Sequence, residues 1–135
     1  MLSFISSRGL AGIAFGLLMA GACHAADMGF MLENEHSRAV AIELHGKETV
    51  WPGDDKVYLI DPGAIKEVTI SCTPGERICY GAWINGNDRL AFGVGPDNDQ
   101  VCHNCCSICV AHTRETIDLI PGGPTLRTPR APGSP

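Results

Sequence analysis

Six cysteines carry most of the chemistry that can be read from this chain. Four stand in one run, Cys102-His-Asn-Cys105-Cys106-Ser-Ile-Cys109, a C-x-x-C-C-x-x-C arrangement with His103 inside it. The other two, Cys72 and Cys79, bracket Thr73-Pro-Gly-Glu-Arg-Ile78. Three kinds of sulfur chemistry compete. The first is structural disulfide bonding. Adjacent Cys105 and Cys106 in extended backbone point to opposite sides and so reach different partners. Cys102–Cys106 with Cys105–Cys109, or bridges to Cys72 and Cys79, all stay open, because spacing alone does not fix connectivity. If residues 73–78 form a hairpin loop, Cys72 and Cys79 stand opposite each other at a Cα separation of about 4.5–5.5 Å, within reach of a bridge. That is the one pairing the sequence predicts.

The second chemistry is zinc. C-x-x-C is the spacing of a metal knuckle, and Cys102, Cys105, Cys106 and Cys109 would supply four thiolates, with His103 and His112 as substitute ligands. Ordinary sites separate their two halves by a long stretch of chain, whereas here the halves touch. The third is thiol–disulfide exchange. Cys102-His-Asn-Cys105 has redox spacing, and a charged His103 would lower a thiol pKa. The βαβ context of a thioredoxin-like motif is missing. On the disulfide reading the protein needs no cofactor; on the alternative it holds zinc.

What decides the order is the amino end. Residues 1–8 carry one positive side chain, Arg8, and no acid; an uncharged apolar run follows to Ala20, then Gly21-Ala-Cys-His-Ala-Ala26. A basic start, an apolar middle and a small-residue exit describe a secretory signal peptide, here residues 1–26 with the cut after Ala25 or Ala26. The run is too short for a comfortable membrane span, so none is expected after cleavage. Ala20-Gly21-Ala22-Cys23 also resembles a bacterial lipobox, which makes Cys23 a candidate for lipidation and the protein lipid-anchored on that alternative. Export takes the remaining cysteines into an oxidising compartment, periplasmic or extracellular, where thiols are consumed in disulfides.

The whole chain has 135 residues and a formal charge of −5, the size of one domain. That acidity argues against a nucleic-acid face, which needs clustered Lys and Arg. Residues 121–135 are rich in Pro, Gly, Ser, Thr and Arg and carry one large apolar side chain, Leu126. They read as a disordered tail. Between them, residues 27–120 form the exported domain.

Its apolar pattern has period two. Val40, Ile42 and Leu44 share one face, and Lys56–Asp61 and Ile65–Cys72 are rich in β-branched and aromatic side chains, which suit a pleated surface. Trp51-Pro-Gly, Asp61-Pro-Gly, Thr73-Pro-Gly and Asn85-Gly separate these runs, with Pro fixing φ and Gly or Asn accepting positive φ. Residues 78–84 and 89–94 make a hairpin about the Asn85–Asp88 turn, and residues 116–120 a last strand. No helical periodicity survives the glycines and prolines. The pattern predicts an all-β domain of about seven strands, a small antiparallel β-sandwich or partly open barrel cross-linked by cysteines. Its core is lean for its length, with Trp51, Tyr58, Trp83 and Phe92 as large contributors; either tryptophan would become a ligand contact if exposed.

Other chemistry is thin. His36 and His45 read as surface or satisfied core residues. Asp97-Asn-Asp99 and Asn85-Gly-Asn-Asp88 are better explained by turns than by calcium. Glu76 with Asp88 or Asp97 would make a carboxylate pair only if the fold joined them. Ser71 has no identifiable base, and no nucleophile elbow, phosphate loop or zinc-protease motif occurs. These residues favour a non-enzymatic reading over an enzymatic one, and no catalytic residue is assigned.

Gly75-Glu-Arg-Ile-Cys-Tyr-Gly-Ala-Trp83, preceded by Trp51-Pro-Gly53 and followed by the cysteine run, resembles a group of small exported bacterial proteins of uncharacterised function. The resemblance covers roughly residues 45–110 and implies no catalytic assignment. The sequence therefore predicts an exported, disulfide-stabilised binding module. Its partner is a protein or cell-envelope ligand, and zinc binding or thiol redox work at Cys102–Cys109 is the alternative.

Overall fold

The computed structural model describes Gly16 and residues 24–121. The predicted signal segment with Cys23, and the tail beyond Pro121, lie outside the described residues apart from their edges. Within them the protein is all-β, with no helix. Nine strands occur: β1 Ala26–Asn34, β2 Val40–His45, β3 Val50–Trp51, β4 Tyr58–Ile60, β5 Ile65–Cys72, β6 Arg77–Ile84, β7 Asn87–Gly93, β8 Cys106–Ile108 and β9 Arg114–Leu119.

They form two sheets. The first has the order β5-β1-β9; in the second, β2 and β6 form the centre, with β3 and β4 sharing one flank of β2 and β7 and β8 sharing one flank of β6. All neighbours are antiparallel except β1 and β9, which run parallel from Gly29↔Arg114 to Asn34↔Leu119. The expected hairpin is present as β6–β7, with a bulge at Trp83/Ile84. Six strands match the runs named from the sequence, and β1, β3 and β8 bring the count to nine; β1 obeys the same alternation as the others, burying Met28, Phe30 and Leu32.

Period-two patterning fills the space between the sheets. Met28, Phe30, Leu32 and Ile70 from the first sheet meet Val40, Ile42, Leu44, Ile78, Tyr80 and Ile84 from the second in one buried cluster. Each such side chain contributes roughly 1.5–3 kcal/mol on removal from water. Trp51, Tyr58 and Phe92 pack against this cluster. Trp83 does not. It alternates out of phase with Tyr80, Ala82 and Ile84, so it sits half-buried on the outer face of the second sheet, opposite Ala41 and Ala91.

The two ends of the sandwich are closed differently. At one end Ala26 pairs with Cys72 and His45 with Cys79, and the cysteine segment joins the sheets. At the other, Asn34 is 1% exposed. Its Nδ2 donates to the carbonyls of Arg38, Ile60 and Asp61 at 2.8, 3.0 and 3.2 Å, and its Oδ1 accepts from the His36 N–H at 2.9 Å.

Candidate functional site

All six cysteines of the domain are in disulfides: Cys72–Cys109, Cys79–Cys106 and Cys102–Cys105, with Cα separations of 6.2, 3.9 and 5.7 Å. The predicted Cys72–Cys79 bridge is not formed, and the reason is topological. Residues 73–76 do not close a hairpin; they carry the chain from β5 in the first sheet to β6 in the second. Cys72 therefore points inward among the core residues, while Cys79 lies on the outer side of β6, directly opposite Cys106 of β8. Cys105 and Cys106 do reach different partners, as their adjacency requires.

This division also bears on the zinc alternative. Cys102, Cys105, Cys106 and Cys109 are shared among three bridges rather than gathered about one point. His103 and His112 are both exposed, and His112 sits at φ 60° with its N–H donating to the Asp27 carbonyl. Among the described residues no group of three His, Cys, Asp or Glu side chains is placed to hold a metal ion.

The segment from Val94 to Cys106 folds back over the outer face of the second sheet. The close approach occurs at Gly81, where a Cβ would collide with the Gly95 carbonyl, so glycine is required there. Two hollows flank this contact. One is a groove of about 690 Å³ whose rim carries Lys47, Arg77 and His103 and whose wall includes Cys79, Cys102 and Cys106. Glu76 also lines it, but its carboxylate is engaged: Oε1 accepts from the Thr73 N–H at 2.6 Å and Oε2 from the Lys47 N–H at 3.2 Å. Glu76 thus ties two turns together, and it stands as the one carboxylate beside the cations Lys47 and Arg77. Val101, 87% exposed, supplies an apolar contact at its edge.

The second hollow, of about 540 Å³, is acidic, with Glu43, Asp54, Asp55 and Asp97 along it and Lys56 at its margin. His45 belongs to both hollows. It is 7% exposed, and burial lowers its pKa, which favours the neutral ring. Its Nε2 is 3.5 Å from a Glu43 carboxylate oxygen yet has no hydrogen-bond partner among the described residues. Expected to be a satisfied or surface residue, His45 is neither.

The remaining candidates are scattered. Asp88 belongs to β7 beyond the Asn85 turn, at the far end from Glu76, so no Glu76–Asp88 pair exists. Asp97 lines the acidic hollow, not the groove. Ser71, in β5 opposite Asp27, is exposed. His36 stacks on Phe92 with ring centroids 4.9 Å apart. Sequence reasoning missed Glu43, Asp54, Asp55, Lys47 and Arg77. Only the Trp51-Pro-Gly-Asp-Asp turn was a visible signal, and Asp54 and Asp55 both take φ 56° in it.

These features define a small disulfide-stabilised β-domain whose bridges belong to an oxidising environment. Comparison with family models, curated proteins and solved structures gives no match for the chain.

Proposed function

We propose that the protein is an exported binding module, periplasmic or extracellular, whose recognition surface is the groove on its disulfide-linked end. The observation that carries this reading is the contrast in charge. A chain of formal charge −5 places Lys47 and Arg77, against the single carboxylate of Glu76 and with His103 beside them, on one concave surface. Such a surface draws and orients anionic groups, and the adjoining Val101 adds apolar contact. Two bridges in its wall limit the conformational entropy lost on binding, which favours affinity without a large area. The ligand class that fits is a protein or cell-envelope component presenting carboxylates or phosphates. The signal-like residues 1–26 and the three disulfides support export; lipidation at Cys23 would tether the same module to a membrane.

The test is binding of the oxidised protein to immobilised lipopolysaccharide, peptidoglycan fragments and envelope proteins, beside K47E/R77E. Loss of at least tenfold in affinity with an unchanged melting temperature is expected. Absence of wild-type binding, or equal binding by the variant, overturns the proposal.

One observation favours a second reading, thiol exchange. Cys102–Cys105 closes the C-x-x-C loop, and half-buried Cys102 lines the groove. Graded dithiothreitol treatment should then open this bridge well before the other two. Simultaneous opening of all three removes the redox reading.

A further inference from the structure

The acidic hollow is the part of the molecule that the groove does not explain. Its floor is built by alternation on β2. Glu43 and His45 are two residues apart and so project on the same outer face of the sheet. Opposite Glu43 stands Gly81, whose outer side is covered by the Gly95 carbonyl, so the hollow opens beside Glu43 rather than over Gly81. The turn after Trp51 brings Asp54 and Asp55 to one side, and the segment covering Gly81 brings Asp97 to the other. Four carboxylates thus surround the hollow with one cation, Lys56, at its margin.

Two independent observations show that this arrangement lacks a counterpart. Glu43 is partly buried and its pKa is raised, first by burial and then by the charges of Asp55 and Asp97. Separately, the His45 imidazole is more than nine-tenths buried, and its Nε2, directed toward Glu43, has no hydrogen-bond partner. A buried polar atom left unpaired costs free energy, and a neutral imidazole nitrogen can accept a proton donor.

We infer that this hollow is a binding site for an alkylammonium group, with Glu43 and His45 Nε2 as its acceptors and Asp55 and Asp97 as its surrounding field. The inference goes beyond the groove reading and rests on different side chains, His45 excepted. An ammonium group has three donors and no acceptor, which matches the Glu43 carboxylate and, in the tautomer that carries its proton on Nδ1, the His45 Nε2 lone pair. It also brings the positive charge that the carboxylates lack. A bare metal ion fits less well, because the acids stand around a space of about 540 Å³ and do not converge as ligands. The group can arrive on a free amine or on a lysine side chain; the recognition chemistry is the same.

The experiment is an NMR titration of the oxidised protein at pH 7 and low salt with three probes: cadaverine, N-acetyl-lysine methylamide and tetramethylammonium. The amide signals of Glu43, His45, Asp55 and Asp97 should shift saturably with a primary amine. Tetramethylammonium, which carries the charge without N–H donors, should bind at least tenfold more weakly. Glu43→Gln should weaken amine binding tenfold or more, and Asp54→Asn, at the exposed rim, two- to threefold. Binding should fade as pH falls through the raised Glu43 pKa, with His45, Asp54, Asp55, Asp97 and Lys56 as the other titrating groups that face the site. A preference between the two amines assigns the source as a free amine or a protein lysine. Unshifted signals with both amines, equal binding of tetramethylammonium, or an unchanged affinity in a folded Glu43→Gln protein overturns the inference. Displacement of the amine by equimolar calcium overturns it as well.

Discussion

The two ends of this sandwich solve one problem by different means. At the end where β5 passes to β6, the sheets are joined through Cys72–Cys109 and the β6 edge through Cys79–Cys106. At the other end a single amide, Asn34, fastens β1 to the Arg38, Ile60 and Asp61 carbonyls. Covalent closure acts mainly on the unfolded chain, by limiting the conformations it can reach. Hydrogen-bonded closure acts in the folded state, by giving buried carbonyls a donor they would otherwise lack. The groove and the acidic hollow border the covalent end, while a third hollow of about 460 Å³, lined by His36, Arg38, Leu90 and Phe92, lies toward the Asn34 end.

The largest effect should come from the long bridge. Replacing Cys72 and Cys109 together by alanine opens a loop of sequence separation 37, which in the chain-entropy description costs about 4 kcal/mol. Urea titration should register it, and a loss below about 1 kcal/mol would mean that the covalent end is held by packing. The Cys79–Cys106 loop is nested within this one, so the two losses should add to less than their sum.

Asn34→Ala comes next, at about 3 kcal/mol, because buried carbonyls lose their donor. Asn34→Asp should be at least as damaging, since it turns an acceptor toward those same carbonyls. If either variant melts like the wild type, the hydrogen-bonded end contributes nothing and the comparison fails. Removing Cys102–Cys105, a loop of separation 3, should cost only about 1.5 kcal/mol, with its effect seen in groove binding rather than in unfolding.

Smaller effects sharpen the picture. The Tyr80 hydroxyl is buried without a hydrogen-bond partner among the described residues, and burial pushes its pKa up to about 12. Tyr80→Phe should therefore change stability by less than about 1 kcal/mol, in either direction. His45 should leave a signature in pH. Its folded pKa lies below its unfolded value near 6.5, so the unfolded chain binds more protons as pH falls. The stability that His45 contributes is present above pH 6.5 and is lost on acidification through the lowered pKa. His45→Gln should flatten the wild-type decline between pH 7 and 5 in thermal melts. Glu43, with a raised pKa, has the opposite sense and loses its contribution as pH rises through that pKa.

Much of the scaffold could be read from alternation alone. Val40, Ile42 and Leu44 face inward, as does the Ile78-Tyr80-Ala82-Ile84 series, and the Asn85-Gly86 hairpin forms. Met28, Phe30 and Leu32 alternate in the same way, in a run that abuts the predicted export segment and contains Gly29. Partner choice was less legible. Nothing local tells β1 to accept β9 in parallel, and nothing in Thr73-Pro-Gly-Glu76 distinguishes a hairpin loop from a crossing between sheets. That one ambiguity misassigned Cys72. The acidic hollow was illegible for the same reason: Glu43, Asp55 and Asp97 come from three distant segments, and only the fold brings them around His45.

The claim on which the rest depends is that the cysteine run reaches back to both β5 and β6, and trypsin tests it directly. Cleavage of the oxidised protein after Lys66, Arg77, Arg89 and Arg114 gives peptides 67–77, 78–89 and 90–114, which contain Cys72, Cys79 and the four clustered cysteines. The account predicts one species in mass spectrometry that contains all three peptides and separates into them on reduction. A species joining only 67–77 to 78–89, with 90–114 released by itself, would contradict it.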